Sequence, residues 1–414
     1  MFRGWIVVVS CFCVYLSIGI SFSYTEFFLP LTNQFGWSYS TSSVIPAVST
    51  ITSSLCSLLA GYVLPRLGYR RTCVFSSILV GGGTLLSGLA GNFIQLLVAF
   101  GILASIGNAF MLVASTSLVI NWFVKNRGIA VGAMSSGSGA GAILVPFLAN
   151  YLIRTSGWRL AFMFIGGFFL VILLVASFYL QMPKDLPTSL SSSGVRIAEE
   201  GDDLESLTLR QSLFSRKFWL LYMMLALGTF GVYIFSVHAV PFAESNEINS
   251  LIATEAIASF GAGSLFSRVV MGALTDRIKP ASVLVISFGL GLISISFLTM
   301  LPGVIDVFVL AGFGIGFAYG GYIAEFTVLA GDLFGKRLTP KIWGIFETSL
   351  GLGGLAGPLI AGILFDIYHS YTLTFEIASL ATAIAFVLSL FFLMDTKNPI
   401  VRKSVLSSDK SGQC

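Results

Sequence analysis

Charge is what this sequence has least of. Of its 414 residues only 10% are Asp, Glu, Lys or Arg, where a soluble domain carries about 25%. That shortage excludes an ordinary soluble globule, a disordered chain and a nucleic-acid-binding protein, all of which depend on surface charge. Histidine is nearly missing: His238 and His369 are the only two, and neither sits at metal-ligand spacing from another donor. The five cysteines give no disulfide framework, because Cys11, Cys13, Cys56 and Cys73 lie inside apolar runs and Cys414 is the last residue. No Gly-Lys-Ser/Thr follows the glycine runs, so they are not phosphate loops. No nucleophile–base set is visible either. The chain is read as not an enzyme, with no cofactor and no metal.

Long apolar runs are what the chain has instead. Apolar residues make up 56% of it, with 37 Phe and 44 Gly, and mean hydropathy is +0.91. A helix needs about 20 mostly apolar residues to cross a bilayer. Such runs lie near 5–31, 41–63, 73–90, 94–120, 128–152, 160–181, 217–241, 251–274, 281–300, 304–332, 341–365 and 372–394. The first is too long for a signal-peptide core and is read as a retained span. The expected fold is all-α integral membrane: 12 transmembrane helices in two six-helix bundles, 1–182 and 217–395. The interval 183–216 holds Ser191-Ser192-Ser193 and Glu199-Glu200-Gly201-Asp202-Asp203 and reads as a solvated cytoplasmic linker. Residues 396–414 read as a cytoplasmic tail. With the N-terminus cytoplasmic, 20 of the 23 Lys and Arg fall on the cytoplasmic side. Arg154 and Arg159 fall outside and Arg268 lies within a span. This asymmetry puts both termini in the cytoplasm and the protein in a bacterial inner membrane or a eukaryotic plasma membrane.

The halves repeat each other. Gly61-x-x-x-Pro65-Arg66 returns as Gly272-x-x-x-Asp276-Arg277 at an offset of 211. Gly132, Gly139, Gly141 and Pro146 return as Gly344, Gly351, Gly353 and Pro358 at an offset of 212. Parallel repeats of six helices are a transporter architecture, with the substrate site at mid-bilayer between the halves.

At these residues the chain resembles the major facilitator superfamily. The loop Gly61-Tyr-Val-Leu-Pro65-Arg66-Leu-Gly68-Tyr-Arg70-Arg71 matches that family's loop between spans 2 and 3, except that Pro65 replaces its acid. Gly157-Trp158-Arg159-x-x-Phe162 also fits. A narrower resemblance is to the monocarboxylate porter family and its oxalate/formate-antiporter-like branch. It rests on Gly4-Trp5-Ile-Val-Val-Val, Phe27-Phe28-Leu29-Pro30-Leu31, Asn121-Trp122-Phe123, Tyr319-Gly320-Gly321 and Gly351-Leu-Gly353-Gly354-Leu-Ala-Gly357-Pro358. The resemblance implies alternating access and a small carboxylate substrate. It does not carry over that family's charged residues: Leu29 stands where some members have Lys, and Ser264 where some have Asp.

Arg268 is the only basic residue inside a span. At mid-bilayer an Arg costs about 2.5–3.5 kcal/mol on insertion scales, so it faces a cavity or a partner. Its planar fork matches a carboxylate bidentately. Glu255, 13 residues earlier on the same helix, is about 20 Å away and cannot pair with it directly. One fixed positive charge balances one carboxylate, which favours a monocarboxylate such as lactate or pyruvate over oxalate. Ser264, one turn away, with Tyr319 and Asn108, are expected to read the rest of the substrate, and Leu29 to form an apolar wall. A carboxyl removed from water favours its protonated form, so Glu26, Glu325 and Glu347 are the proton-coupling candidates. The expected function is secondary transport of a small monocarboxylate, with a proton or by exchange. Rival readings are an exporter of drug-like compounds and a sensor without flux. The expected partners are the carboxylate and the lipid bilayer; the sequence names no protein partner.

Overall fold

The computed structural model describes residues 3–123, 127–181, 209–275, 278–334 and 339–397. Among them every regular element is helical: α1 (Arg3–Leu16), α2 (Gly19–Phe35), α3 (Tyr39–Leu67), α4 (Tyr69–Gly88) and the single turn α5 (Phe93–Leu96). A π-helix (Leu97–Ala104) runs on into α6 (Ser105–Trp122). Then come α7 (Arg127–Tyr179), the short α8 (Leu209–Leu213), α9 (Arg216–Ser245), α10 (Ser250–Thr275), α11 (Pro280–Met300), α12 (Ile305–Phe334), α13 (Thr339–Tyr368) and α14 (Thr372–Lys397). The apolar runs make the helices, and local chemistry cuts them. Gly36 ends α2 in the left-handed region at φ 64°, where its N–H bonds the Thr32 carbonyl. The Ser38 hydroxyl then caps α3 by accepting from the Thr41 N–H at 3.1 Å. Asn92 and Ser215 cap α5 and α9 in the same way.

Nine helical stretches among the described residues are long and apolar enough to cross a membrane. One of them, Ala130–Tyr179, holds two of the expected runs. Its break is Gly157, at φ 82° and ψ 162°, a conformation that a side chain resists. The two arms of α7 pack differently. Gly137 in the first arm lies against Phe12 and Tyr15, whereas Gly166 in the second lies against Leu85 of α4. The first arm therefore runs alongside span 1 and the second returns beside α4. Two further expected runs are the helices α4 and α10.

Span 1 is two helices. Between α1 and α2 the chain turns at Ser17 and Ile18, where the Ser17 hydroxyl donates to the Val14 carbonyl at 2.7 Å. Packing repeats across the chain: α1 and α2 lie on α7 as α9 lies on α13, and α4 packs on α7 as α11 packs on α14. Two long seams join the halves, α3 with α13 and α7 with α10. The expected linker lies mostly outside the described residues, as do Asp276, Arg277 and the end of the tail. Trp158, just after the Gly157 break, is buried and donates to Gln34 Oε1 at 3.0 Å. The neighbouring Arg159 lies over the Trp158 ring and donates to the Ala90 carbonyl at 2.9 Å. It thereby serves the carbonyls left open at the end of α4.

Candidate functional site

Arg268 sits on α10, half-buried, facing the α7 seam. Its Nη1 donates to the backbone carbonyl of Ser135, on the other half, at 2.7 Å. Among the described residues no carboxylate bonds it. Its electrostatic neighbours are instead Tyr15 of α1 and Tyr319 of α12. Tyr15 is tethered by a 2.9 Å bond between its hydroxyl and Thr116 of α6. Tyr319 lies over Phe260 with ring centroids 5.9 Å apart, and Phe260 in turn meets Phe22 across the halves at 5.3 Å. Glu347 of α13 is half-buried beside Trp343. It shares its surroundings with Tyr15, Tyr233 and Tyr319. The structure thus brings together Arg268, Tyr319 and Glu347 from the expected set and adds Tyr15 and Tyr233. A guanidinium tied only to a neutral carbonyl keeps donors for an anion. The aromatic rings around it suit the apolar part of a small organic acid.

One end of the interface between the halves is closed by polar contacts. The Asp366 carboxylate of α13 accepts from the N–H groups of Tyr39 and Ser40, both at 2.8 Å. It thereby caps α3 across the two halves, where the helix dipole favours a negative charge. His238 of α9 meets Ser43 Oγ and the Pro358 carbonyl through Nε2, both at 3.1 Å. Its Nδ1 meets the Tyr371 hydroxyl at 2.9 Å. The Pro358 carbonyl can only accept, so Nε2 carries the hydrogen and Nδ1 accepts from Tyr371. The Val240 N–H donates to Thr25 Oγ1 at 3.1 Å. Glu26 of α2 is buried, accepting from Asn150 Nδ2 and from Thr254 Oγ1 of the other half, each at 2.8 Å. This end holds the turns at Gly36, Gly157 and Ser370.

Of the remaining expected residues, Ser264 shares α10 with Arg268, one turn away, and the others lie on other helices. Ser264 is buried, its backbone against Gly320 of α12. Leu29 is buried in the core, 14 residues beyond Tyr15 along span 1, a helical rise of about 20 Å. Glu325 is buried and accepts from the Thr275 hydroxyl. Asn108 lines a small cavity within the N-terminal half, its Oδ1 buried with no hydrogen-bond partner among the described residues. Tyr15, Tyr233, Asn150, Thr254, His238 and Asp366 were not singled out for these roles in the sequence. The signal for Asp366 was an acid near a span end; for Tyr15 there was only its place near the middle of span 1.

The comparisons agree with this fold. The family model for the Major Facilitator Superfamily matches residues 11–254 and 239–410. The fold is that of a crystal structure of a bacterial homologue of the human lysosomal transporter Spinster, in an inward-facing and unoccupied conformation. Its TM-score is 0.74 at 17% identity, over 95% of this chain and 98% of that one. An uncharacterized MFS-type transporter, YhjX of Escherichia coli (strain K12), is 23% identical over 85% of this chain and 86% of its own length. Human monocarboxylate transporter 12 is 24% identical over 90% of this chain and 77% of its own. The protein is a multi-pass membrane transporter and not an enzyme. The chain belongs to the Major Facilitator Superfamily.

Proposed function

We propose that this transporter moves a small monocarboxylate, of the size of lactate or pyruvate, by alternating access, with both termini in the cytoplasm and twelve spans. The observation that carries this reading is Arg268. It is half-buried between the halves, held by the Ser135 carbonyl and, among the described residues, bonded by no carboxylate. An incoming carboxylate takes both arms of the fork and exchanges a neutral acceptor for a charged one, a stronger bond. That exchange loosens the α7–α10 tie at the same moment. The similarity to monocarboxylate transporter 12 supports the substrate class. Tyr15, Tyr233 and Tyr319 hold the apolar part of the substrate. Glu347 is the nearest proton-coupling candidate to this group, and Glu26 belongs to the closed end. With the N-terminus inside, the closed end is extracellular and the conformation faces the cytoplasm.

The experiment is uptake of radiolabelled lactate, pyruvate, formate and oxalate by purified protein in proteoliposomes, with and without an inward proton gradient. Gradient-stimulated lactate or pyruvate uptake, with oxalate poor, is the expected result. Flux of none of them from folded protein removes the carboxylate reading. The aromatic lining would then put drug-like organic compounds first.

A further inference from the structure

The seam between α7 and α10 is an antiparallel ladder with polar rungs toward its two ends. Near the Gly157 turn, Arg154 Nη2 donates to Asn249 Oδ1 at 3.3 Å, in an exposed contact. One turn further in, Asn150 of α7 and Thr254 of α10 both bond Glu26 of α2. Next, Gly261 lies against Gly139, Ala142 and Ile143, and Gly139 against Leu265. The last rung is Ser135 with Arg268. The register is regular: 15 residues separate Asn150 from Ser135, and 14 separate Thr254 from Arg268, a rise of about 21 Å along α10. Glu26 and Arg268 thus serve opposite ends of one seam.

Glu26 divides its two oxygens between the halves. Its Oε2 accepts from Asn150 Nδ2, within its own half, and its Oε1 accepts from Thr254 Oγ1 of the other half, each at 2.8 Å. When the halves part at this end, the first bond is untouched and the second must break. The Glu26 side chain is only 4% exposed, and its charged neighbours Arg154 and Glu244 are exposed at the rim. A carboxylate shut away from water needs its donors. The closed arrangement therefore holds only while Thr254 is in reach; once Thr254 moves away, water has to take its place. The α3–α13 seam is closed at the same end by Asp366, so each seam has a carboxylate of its own.

We infer that Glu26 is the latch of the α7–α10 seam. It holds the closed end through Thr254, and release of that one bond frees the end of α10 while α2 and α7 stay joined through Asn150. Glu26 is a positioning residue, because α10 is the helix that carries Arg268. The inference rests on alternating access and not on a carboxylate as the substrate.

The test uses the full-length protein in detergent, without substrate, so that it reads the latch and not what is carried. Amide hydrogen exchange is followed by mass spectrometry in peptides covering 144–154 and 250–258 at the closed end, and 130–138 and 264–272 at the other end of the same seam. Thr254→Val keeps the side-chain shape and removes the donor to Glu26 Oε1. Exchange at the closed end should rise about three-fold or more, with the other end unchanged or slower. Glu26→Gln should do the same, because the amide turns oxygen toward only one of the two donors. Glu26→Gln combined with Asn150→Asp exchanges the amide and the carboxylate, so that both bonds can form again; it should return exchange to the wild-type rate. Wild-type exchange in Thr254→Val, a rise of equal size at both ends of the seam, or a double variant no slower than Glu26→Gln would each overturn the inference.

Discussion

Arg268 and Asp366 do opposite work with the same kind of bond. Arg268 reaches across the halves to a neutral carbonyl, a contact that an anion can displace. Asp366 reaches across to two backbone N–H groups at a helix N-terminus, a contact that closes the structure. Hydrogen bonds to charged groups are worth about 1.5–3 kcal/mol each, so losing one shifts a two-state equilibrium by roughly ten-fold or more. Asp366→Ala is therefore expected to open the closed end. Labelling of a cysteine placed at the buried Ser43 by an impermeant maleimide should rise several-fold, and unchanged labelling would deny Asp366 that role. Arg268→Lys keeps the charge but loses the fork; kcat/KM for uptake should fall about ten-fold or more, chiefly through binding. Arg268 was legible in the sequence because a lone cation in a span needs a reason to be there. Asp366, at the end of a span, was not: its partners are backbone groups more than 300 positions away, and nothing in residue type announces them.

At the scale of elements, the apolar runs and their glycines were readable, and the break inside span 1 was not. Spacing put Gly139 on a helix in contact with another, but not that its neighbours are Gly261 and Leu265 of α10. A methyl group added at Gly139 would lie 2.9 Å from Leu265 Cβ and 3.1 Å from the Gly261 carbonyl oxygen, tighter than packed atoms allow. Gly139→Val should leave a folded protein, judged by a monodisperse elution profile, with uptake reduced at least ten-fold. Normal uptake would mean that this seam need not be close for transport. The run 128–181 read as two spans, and Gly157, with φ 82° and ψ 162°, is the break between them. The break at Ser17 was hidden because Ser-Ile-Gly inside an apolar run has no composition unlike that of an unbroken span.

At the scale of the whole molecule, the repeat explains how two rigid halves can share one site. The seams α3–α13 and α7–α10 hold the halves together, and α2 and α9 meet at the closed end. Glu347 looks onto the space where Arg268 and Tyr319 lie, whereas Glu26 is sealed by Asn150 and Thr254. The proposed reading therefore assigns a proton that travels with the substrate to Glu347. Glu347→Gln should remove stimulation of uptake by an inward proton gradient while sparing exchange of labelled for unlabelled substrate. Retained stimulation would move the proton elsewhere. The overall fold was legible because hydropathy acts along the whole chain. The closed end was not, because it is built from contacts between residues far apart in sequence.

The most direct test of the central claim is counterflow: proteoliposomes loaded with unlabelled lactate, trace labelled lactate outside, no gradient, wild type beside Arg268→Ala. The account predicts transient accumulation of label by the wild type and none above empty vesicles by the folded variant. Equal accumulation by both would show that Arg268 does not bind the substrate, and would contradict the account at its centre.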